Sequence, residues 1–339
     1  MNFLIYSPSF YPNIGGLETV ISTLAQEFTY QGHQVKLVSQ TPDINSKSFC
    51  FEVIRQPNSQ QLLQLTRWCD VFLQGCVSLK GLWPLLIIPK PLVVTHQTWY
   101  RRSNGSLNWQ DHLKYFITRF ATNISASQAL AEYIPAAVKI IPNSYREDVF
   151  YNMPDVTRNK ELVFLGRLVS DKGVNLLLDA LAQIKLLGIK PKLTIIGNGP
   201  EEYRLQQQAQ KLEIIDQIDF AGIKVEQELA KLLNTHKIMV VPSLWDEPFG
   251  IVALEGIACG CVVVGSEGGG LKDAIGPCGV TFPNGNVEQL TQILFNLLTE
   301  PEKLKTYRDK AKLHLDSHTS QAVAKAYLNV LEEVVQCNC

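Results

Sequence analysis

The chain has 339 residues, 46% apolar and 19% charged, with 31 basic and 32 acidic side chains and a formal charge of −1. That length predicts two domains of ordinary size. The composition excludes wholesale disorder, a fibrous repeat and a nucleic-acid binder that works through bulk positive charge. The sign is mildly uneven, since residues 1–150 hold 12 basic and 9 acidic groups, which points weakly to an anionic partner for the first half.

Punctuation along the chain repeats strand, glycine turn, helix. Phe3–Ser7 reads as a buried strand, followed by Gly15-Gly16 and a helix over Leu17–Tyr30, with apolar residues at Leu17, Val20, Ile21, Leu24 and Phe28. Gly32 ends that helix, and Gln34–Ser39 is the next strand. Further strands are predicted at Phe49–Ile54, Val71–Leu73, Leu92–Thr95, Asn123–Ala126 and Val138–Ile141. A polar stretch at Asn152–Lys160 reads as a linker. The alternation then restarts, with strands at Leu162–Leu165, Lys192–Ile196, Ile218–Phe220, Ile238–Val241 and Val262–Val264. Helices are predicted at Val174–Leu187, Glu201–Leu212, Val225–Leu233, Val287–Leu298, Glu302–Leu315 and Ser320–Val335. Such alternation predicts parallel sheets covered on both faces, hence two doubly wound α/β domains facing a central cleft, with ligands at the C-terminal ends of the strands.

Eight cysteines are too few to scaffold a chain this long, and Cys259-Gly-Cys261 and Cys337-Asn-Cys339 have no histidine cluster beside them. They read as small buried residues in a reducing compartment. Met1–Tyr6 lacks the basic start of a secretory leader, and Leu82–Val94 is broken by Pro84, Pro89, Lys90 and Pro91. The expected location is the cytoplasm, with peripheral contact to the inner face of the membrane left open.

Several groups have the chemistry of a site. Gly15-Gly16 between strand and helix offers backbone N–H groups and a positive helix end to phosphate, although any such turn favours glycine. It is not a dinucleotide G-x-G-x-x-G, and no P-loop is present, which weakens dehydrogenase and NTPase readings. Arg167 and Lys172, in Gly166–Gly173 after the first strand of the second domain, can clamp a diphosphate; the alternative is a turn neutralised by Asp171. Glu247 and Glu255 bracket Pro248-Phe249-Gly250 and the start of a helix, where carboxylates can accept hydrogen bonds from sugar or ribose hydroxyls; Glu247 can equally just complement the helix dipole. Ser266–Asp273 is a second glycine-rich, anion-ready loop. His96 ends a strand, where it is either a structural histidine or a contact to a transferred group.

These residues resemble family-4 glycosyltransferases of the GT-B fold, within glycosyl transferase group 1, over nearly the whole chain. The likeness is carried by Gly15-Gly16-Leu17-Glu18, by the G-R-L-x-x-x-K-G turn at Gly166–Gly173, by G-x-G-P-E at Gly197–Glu201, and by two glutamates with seven residues between them, Glu247 and Glu255. The resemblance implies an acceptor-side domain at 1–152, a nucleotide-sugar domain at 153–317, and a last helix near 318–336 that returns to the first. It implies that Arg167 and Lys172 bind the donor diphosphate, that Glu247 holds the transferred sugar with His96 beside it, and that Glu255 holds the ribose. Gly15, Gly16, Gly197, Phe249, Gly250 and Ile251 would lie against the donor. The usual G-G-x-P-E loop reads Gly269-Gly270-Leu271-Lys272-Asp273 here, a departure at the last two positions.

No two aspartates stand two positions apart, so the D-x-D metal motif is missing. The resemblance implies a retaining hexosyltransferase with no metal and no cofactor, the nucleotide sugar being a substrate. The donor is expected to be a UDP-sugar ahead of a GDP-sugar, and the acceptor a glycan or lipid-linked hydroxyl in polysaccharide or cell-envelope synthesis. The alternatives are a GT-B epimerase or phosphorylase, and a non-catalytic partner subunit. Last, Trp99-Tyr100-Arg101-Arg102, Trp109, Lys114-Tyr115-Phe116 and Arg119 combine aromatic and basic groups. Arg101 and Arg102 there suit an anionic lipid-linked acceptor or a headgroup layer; the other reading is a partly buried helix with a solvated face.

Overall fold

The computed structural model describes residues 1–13, 15–42, 47–101 and 105–336. Its chain divides into two units, Met1–Ser144 with Ser320–Cys339, and Tyr145–Thr319.

The first unit runs β1 (Asn2–Ser7), α1 (Gly16–Tyr30), β2 (Gln34–Ser39), β3 (Glu52–Arg55), α2 (Ser59–Trp68), β4 (Val71–Gln74), α3 (Leu79–Leu82), β5 (Leu92–His96), α4 (Trp109–Ile117), β6 (Thr122–Ser125), α5 (Gln128–Ala131) and β7 (Val138–Ile140). Seven parallel strands pair in the order β3-β2-β1-β4-β5-β6-β7. The second unit runs β8 (Lys160–Leu165), α6 (Val174–Leu186), β9 (Leu193–Ile196), α7 (Glu202–Lys211), β10 (Ile218–Gly222), α8 (Glu226–Asn234), β11 (His236–Val241), α9 (Ile251–Ala258), β12 (Val262–Ser266), α10 (Leu271–Ile275), β13 (Gly279–Phe282), α11 (Val287–Thr299), α12 (Glu302–Arg308) and α13 (Ala311–Asp316). Its six parallel strands pair as β10-β9-β8-β11-β12-β13. The last helix, α14 (Ser320–Gln336), packs on α1 of the first unit.

The strands are apolar runs because each sheet is covered on both faces. Phe3, Leu4, Ile5 and Tyr6 are fully buried, as are Val262, Val263 and Val264. Register follows from those runs: Phe3 stands opposite Val35 and Val71, and Met239 opposite Val263 and Val163. In each sheet the strand order reverses once, between β1 and β4 and between β8 and β11. At such a point the loops leaving the C-terminal ends of the two neighbouring strands go to opposite faces and open a crevice.

The observed elements depart from the sequence reading in several places. Phe49 and Phe51 leave the strand early and build an aromatic cluster with Phe10, so β3 starts only at Glu52. Strand β13 was hidden by its flanking Gly276-Pro277; Gly279 opens it because a Cβ there would sit 1.9 Å from the Val263 carbonyl oxygen. The single helix expected over 302–315 is two, which lets Arg308 donate to the carbonyls of Gly260 and Lys237 while His314 turns its Nε2 to Ala274 O. Residues 145–160 are docked along the second unit rather than spanning a gap. The Tyr145 amide donates to His318 O, the Met153 amide to Asn234 Oδ1, and Arg158 to His236 O. The boundary between units accordingly falls at 144/145, not 152/153.

No helix among the described residues is long and apolar enough to cross a membrane.

Candidate functional site

The reversal point of the second sheet sets the site. The loop after β8 carries Arg167 and Lys172, and the loop after the neighbouring β11 carries Ser243, Asp246 and Glu247. Close backbone packing fixes the first loop. Gly173 has φ 66°, and a Cβ on it would meet the Pro242 carbonyl oxygen at 1.9 Å. Only glycine lets the two loops approach so closely. The Leu244 amide then donates to Asp171 O at 2.8 Å, so Asp171 binds the neighbouring loop through its backbone.

This packing brings Lys172 to Glu247. Lys172 Nζ donates to Glu247 Oε1 at 2.6 Å, and Ser243 Oγ donates to the same oxygen at 2.6 Å. Both side chains are largely buried, at 23% and 12% exposure, so the pair is poorly screened by solvent. The second Glu247 oxygen has no hydrogen bond among the described residues. Arg167 is exposed, and its side chain makes no hydrogen bond or ion pair among the described residues. The turn thus presents one uncompensated guanidinium and one lysine shared with a carboxylate.

Gly197 shapes the same turn from the other side. Its φ is 133°, and a Cβ would lie 1.9 Å from the Gly166 carbonyl oxygen. The Leu168 amide donates to Asn198 O, and the Glu201 amide to Leu168 O. Gly197 therefore acts by letting the β9 turn press against the Arg167 turn.

The loop after β12 holds Glu247 by its backbone. Glu247 and Gly269 form an isolated parallel bridge, and the Gly270 amide donates to Glu247 O at 2.7 Å. Gly269 has φ 72° and no room for a Cβ against the Glu247 carbonyl. Asn284 braces both loops, accepting from the Gly268 amide and donating to Leu244 O. Lys272 is exposed on the short α10.

Gly250, φ 97°, caps α9, and a Cβ there would strike Leu271 Cδ1 at 2.5 Å. The side chains of Phe249 and Ile251 point into the core: Phe249 is 2% exposed and stacks on His318, and Ile251 is buried. Neither offers its side chain to a donor; what these positions present is the N-terminal backbone of α9, with N–H groups unused by the helix. Glu255, one turn further along, is partly buried, and its carboxyl has no hydrogen bond among the described residues. Burial raises it from 4.5 to about 7, opposed by the Arg146 charge. It is poised to ionise when donors reach it.

The first unit treats its candidates differently. Gly15 caps α1, and Glu18 folds back so that its Oε2 lies 2.6 Å from where a Gly15 Cβ would be, while its Oε1 accepts from Ser9 Oγ. Gly16 is exposed at the first turn. His96 is fully buried. Asn123 donates through Nδ2 to the carbonyls of Thr118 and Ala121, so its Oδ1 accepts from His96 Nε2, 3.0 Å away. The Tyr100 hydroxyl accepts the Val77 amide and turns its own proton to His96 Nδ1 at 2.9 Å. Both ring nitrogens are used, and burial lowers the ring to about 4, so His96 is a neutral core group with no atom left for a sugar. The expected sugar contact is corrected accordingly. The Arg101 guanidinium lies against both Trp99 and Tyr133, 4.7 and 4.5 Å from their ring centres, and donates to Tyr133 Oη. Arg102 lies outside the described residues.

Cys259 and Cys261 are buried free thiols, and burial pushes Cys261 up to about 11. Residues that sequence reasoning passed over are Ser243, Asn284 and Pro242. Only Ser243 had a signal, its place between a strand end and the Asp246–Gly250 motif.

Residues 151–314 match the family described as glycosyl transferases group 1. Among curated proteins, the chain is 28% identical to the MMP alpha-(1->4)-mannosyltransferase of Mycolicibacterium hassiacum over 73% of its own length and 60% of that protein's. It is 33% identical to glycogen synthase of Mycobacterium tuberculosis over 50% of this chain and 42% of that one. The chain thus spans less than two thirds of the length of these relatives. Among solved structures, Anabaena HepE in complex with UDP and glucose superposes with a TM-score of 0.80, 20% identity, 98% of this chain and 100% of that one covered. The fold is the two-sheet α/β architecture of GT-B proteins, and the segment 151–314, which holds Arg167, Lys172, Glu247 and Glu255, is similar to the glycosyl transferases group 1 family.

Proposed function

We propose that this chain is a retaining, metal-independent hexosyltransferase. It moves a sugar from a nucleotide diphosphate, UDP ahead of GDP, to a hydroxyl of a glycan or lipid-linked acceptor in the cytoplasm. The observation that carries this reading is the meeting of Lys172 with Glu247 beside exposed Arg167, at the reversal point of a sheet whose glycines permit the approach. The fork of Arg167 and the point charge of Lys172 take the diphosphate. The open oxygen of Glu247 accepts from sugar hydroxyls, and Glu255 accepts from the ribose. The bond from C1 to the diphosphate oxygen breaks, the acceptor oxygen takes its place on the same face, and the acceptor proton passes to the departing phosphate. Negative charge grows on that phosphate as the bond lengthens, which is where preorganised cations lower the barrier most. A UDP-bound chain of the same fold is in keeping with the choice of nucleotide.

The test is incubation of the chain with UDP- and GDP-hexoses and a panel of hydroxyl acceptors in excess EDTA, with nucleotide diphosphate release and product anomer read by NMR. Release with the donor's anomeric configuration retained is expected. Activity that EDTA abolishes and manganese restores overturns the metal-free reading. Inversion of the product overturns the front-face reading.

A further inference from the structure

Helix α4 carries its apolar stripe on the outside. Trp109 is 71% exposed, Leu113 39%, Phe116 52% and Phe120, in the following 3-10 turn, 72%. At 3.6 residues per turn these four fall within an arc of about 60°. The opposite face is the buried one, with Asp111 and Thr118 inside and Tyr115 edge-on to Tyr100. The helix is firmly made: Asn108 and Asp111 form a reciprocal capping box, and Lys114 pairs with Asp111 at 3.0 Å. Exposure of the stripe is therefore a property of an ordered element. A contiguous apolar stripe with a polar rim marks an interaction surface.

The charge on its rim selects the occupant. Arg119 is exposed beside Phe120 and has no side-chain partner among the described residues. Exposed His112 lies on the same flank. The one acid of the helix, Asp111, is turned inward and neutralised by its cap and by Lys114. Trp, Phe and Leu facing outward, cations alongside and no outward carboxylate on the helix are what an anionic bilayer interface accepts. Nine residues plus one turn, on the order of 18 Å, lie in the plane of the interface and do not cross it. We infer that the Trp109–Phe120 face docks on an anionic lipid surface, with the rings at headgroup level and Arg119 on the phosphates. This inference goes beyond the transfer reaction and is read without any donor, so it stands or falls separately.

The experiment is co-sedimentation of the full chain with phosphatidylcholine vesicles, with and without phosphatidylglycerol. Binding to the anionic vesicles is expected, weakened by salt. Arg119→Ala should cost about fivefold in affinity. Trp109→Ser with Phe120→Ser should cost more than about tenfold. Thermal melts should not move, because these side chains are exposed, and melts that do move call for Arg119→Glu as the substitute variant. Three results overturn the inference: no binding by the parent chain, equal binding by the ring variant, or loss of a parent dimer in that variant without vesicle binding. The last would make the stripe an interface between copies of this chain.

Discussion

Lys172 and Glu247, 75 residues apart in sequence, share a 2.6 Å hydrogen bond whose acceptor oxygen also takes the Ser243 hydroxyl proton. The group expected to meet the diphosphate and the group expected to meet the sugar are thus one electrostatic unit before any donor arrives. Glu247 holds the lysine in place but also compensates its charge.

From this it follows that Glu247→Ala should separate binding from turnover. Removing the carboxylate frees the Lys172 charge, so UDP affinity measured by calorimetry should hold or tighten. Turnover should fall by roughly a hundredfold or more, because the sugar loses its acceptor. Loss of UDP binding in step with turnover would assign Glu247 to the nucleotide instead.

Arg167 and Lys172 should differ in stability although they serve one phosphate group. Arg167→Ala removes an exposed, unpaired side chain and should leave the melting temperature unchanged, while kcat/KM drops about a hundred- to a thousandfold. Lys172→Ala strands a largely buried carboxylate and should lower both. Arg167→Lys should restore only part of the rate, since an ammonium lacks the planar fork. The double variant should cost less than the two singles together, because both act on the same leaving group. A stable Lys172→Ala with normal turnover would reduce the pair to a surface contact.

Glu255 gives a pH signature. Burial holds its carboxyl near 7 in the folded chain, raised from 4.5. Ribose hydroxyls donate to the ionised form, so UDP affinity should climb as pH rises toward 7 and level off above it. The Glu255→Gln variant titrates only the terminal phosphate of UDP, and the difference between the two profiles isolates the carboxyl. Parallel profiles for variant and parent would remove Glu255 from the ribose contact.

His96 should matter for stability rather than rate. Its folded value, about 4, lies below the ordinary 6.5, so between these limits the unfolded chain binds the extra proton. The stability it contributes is present above about pH 6.5 and is lost as pH falls toward 4, on the order of 3 kcal/mol in all. His236, also lowered to about 4 by burial, adds to the same loss. Denaturant melts of the parent should weaken over that range. His96→Gln should be less stable at pH 7 yet less acid-sensitive, with kcat per folded molecule within about tenfold of the parent, the full loss being that of an absent acid–base group. A collapse of kcat in a variant that melts normally would return His96 to the active site.

Much of this was legible from residue order. Alternating apolar runs and glycine turns determined two parallel-sheet domains, because a strand buried on both faces must be apolar throughout. Motif spacing marked Gly166–Gly173 and Glu247–Glu255, since a strand-end turn that takes charge must combine glycine with charged groups. The chain by itself also carried the Asn-x-x-Gln and Asn-x-x-Asp caps of α2 and α4, which the apolar pattern alone passed over.

The tertiary structure decided which of those groups meet. Sequence separation does not state that β8 lies beside β11; that neighbour relation, with Gly173 against Pro242, makes Lys172 and Glu247 partners. His96 stands at a strand end in either reading, and only the placement of Asn123 and Tyr100 shows both ring nitrogens occupied. Phe249 was read by position, whereas its ring is claimed by His318 from a segment nearly seventy residues on. The sequence marked Trp109 and Phe116 in an aromatic and basic patch but could not show that they share an outward stripe with Leu113 and Phe120, because the same pattern serves a core or a surface. Burial of Asp111 and Thr118 on the opposite side turned it outward, and that choice belongs to packing between elements, which local sequence does not encode.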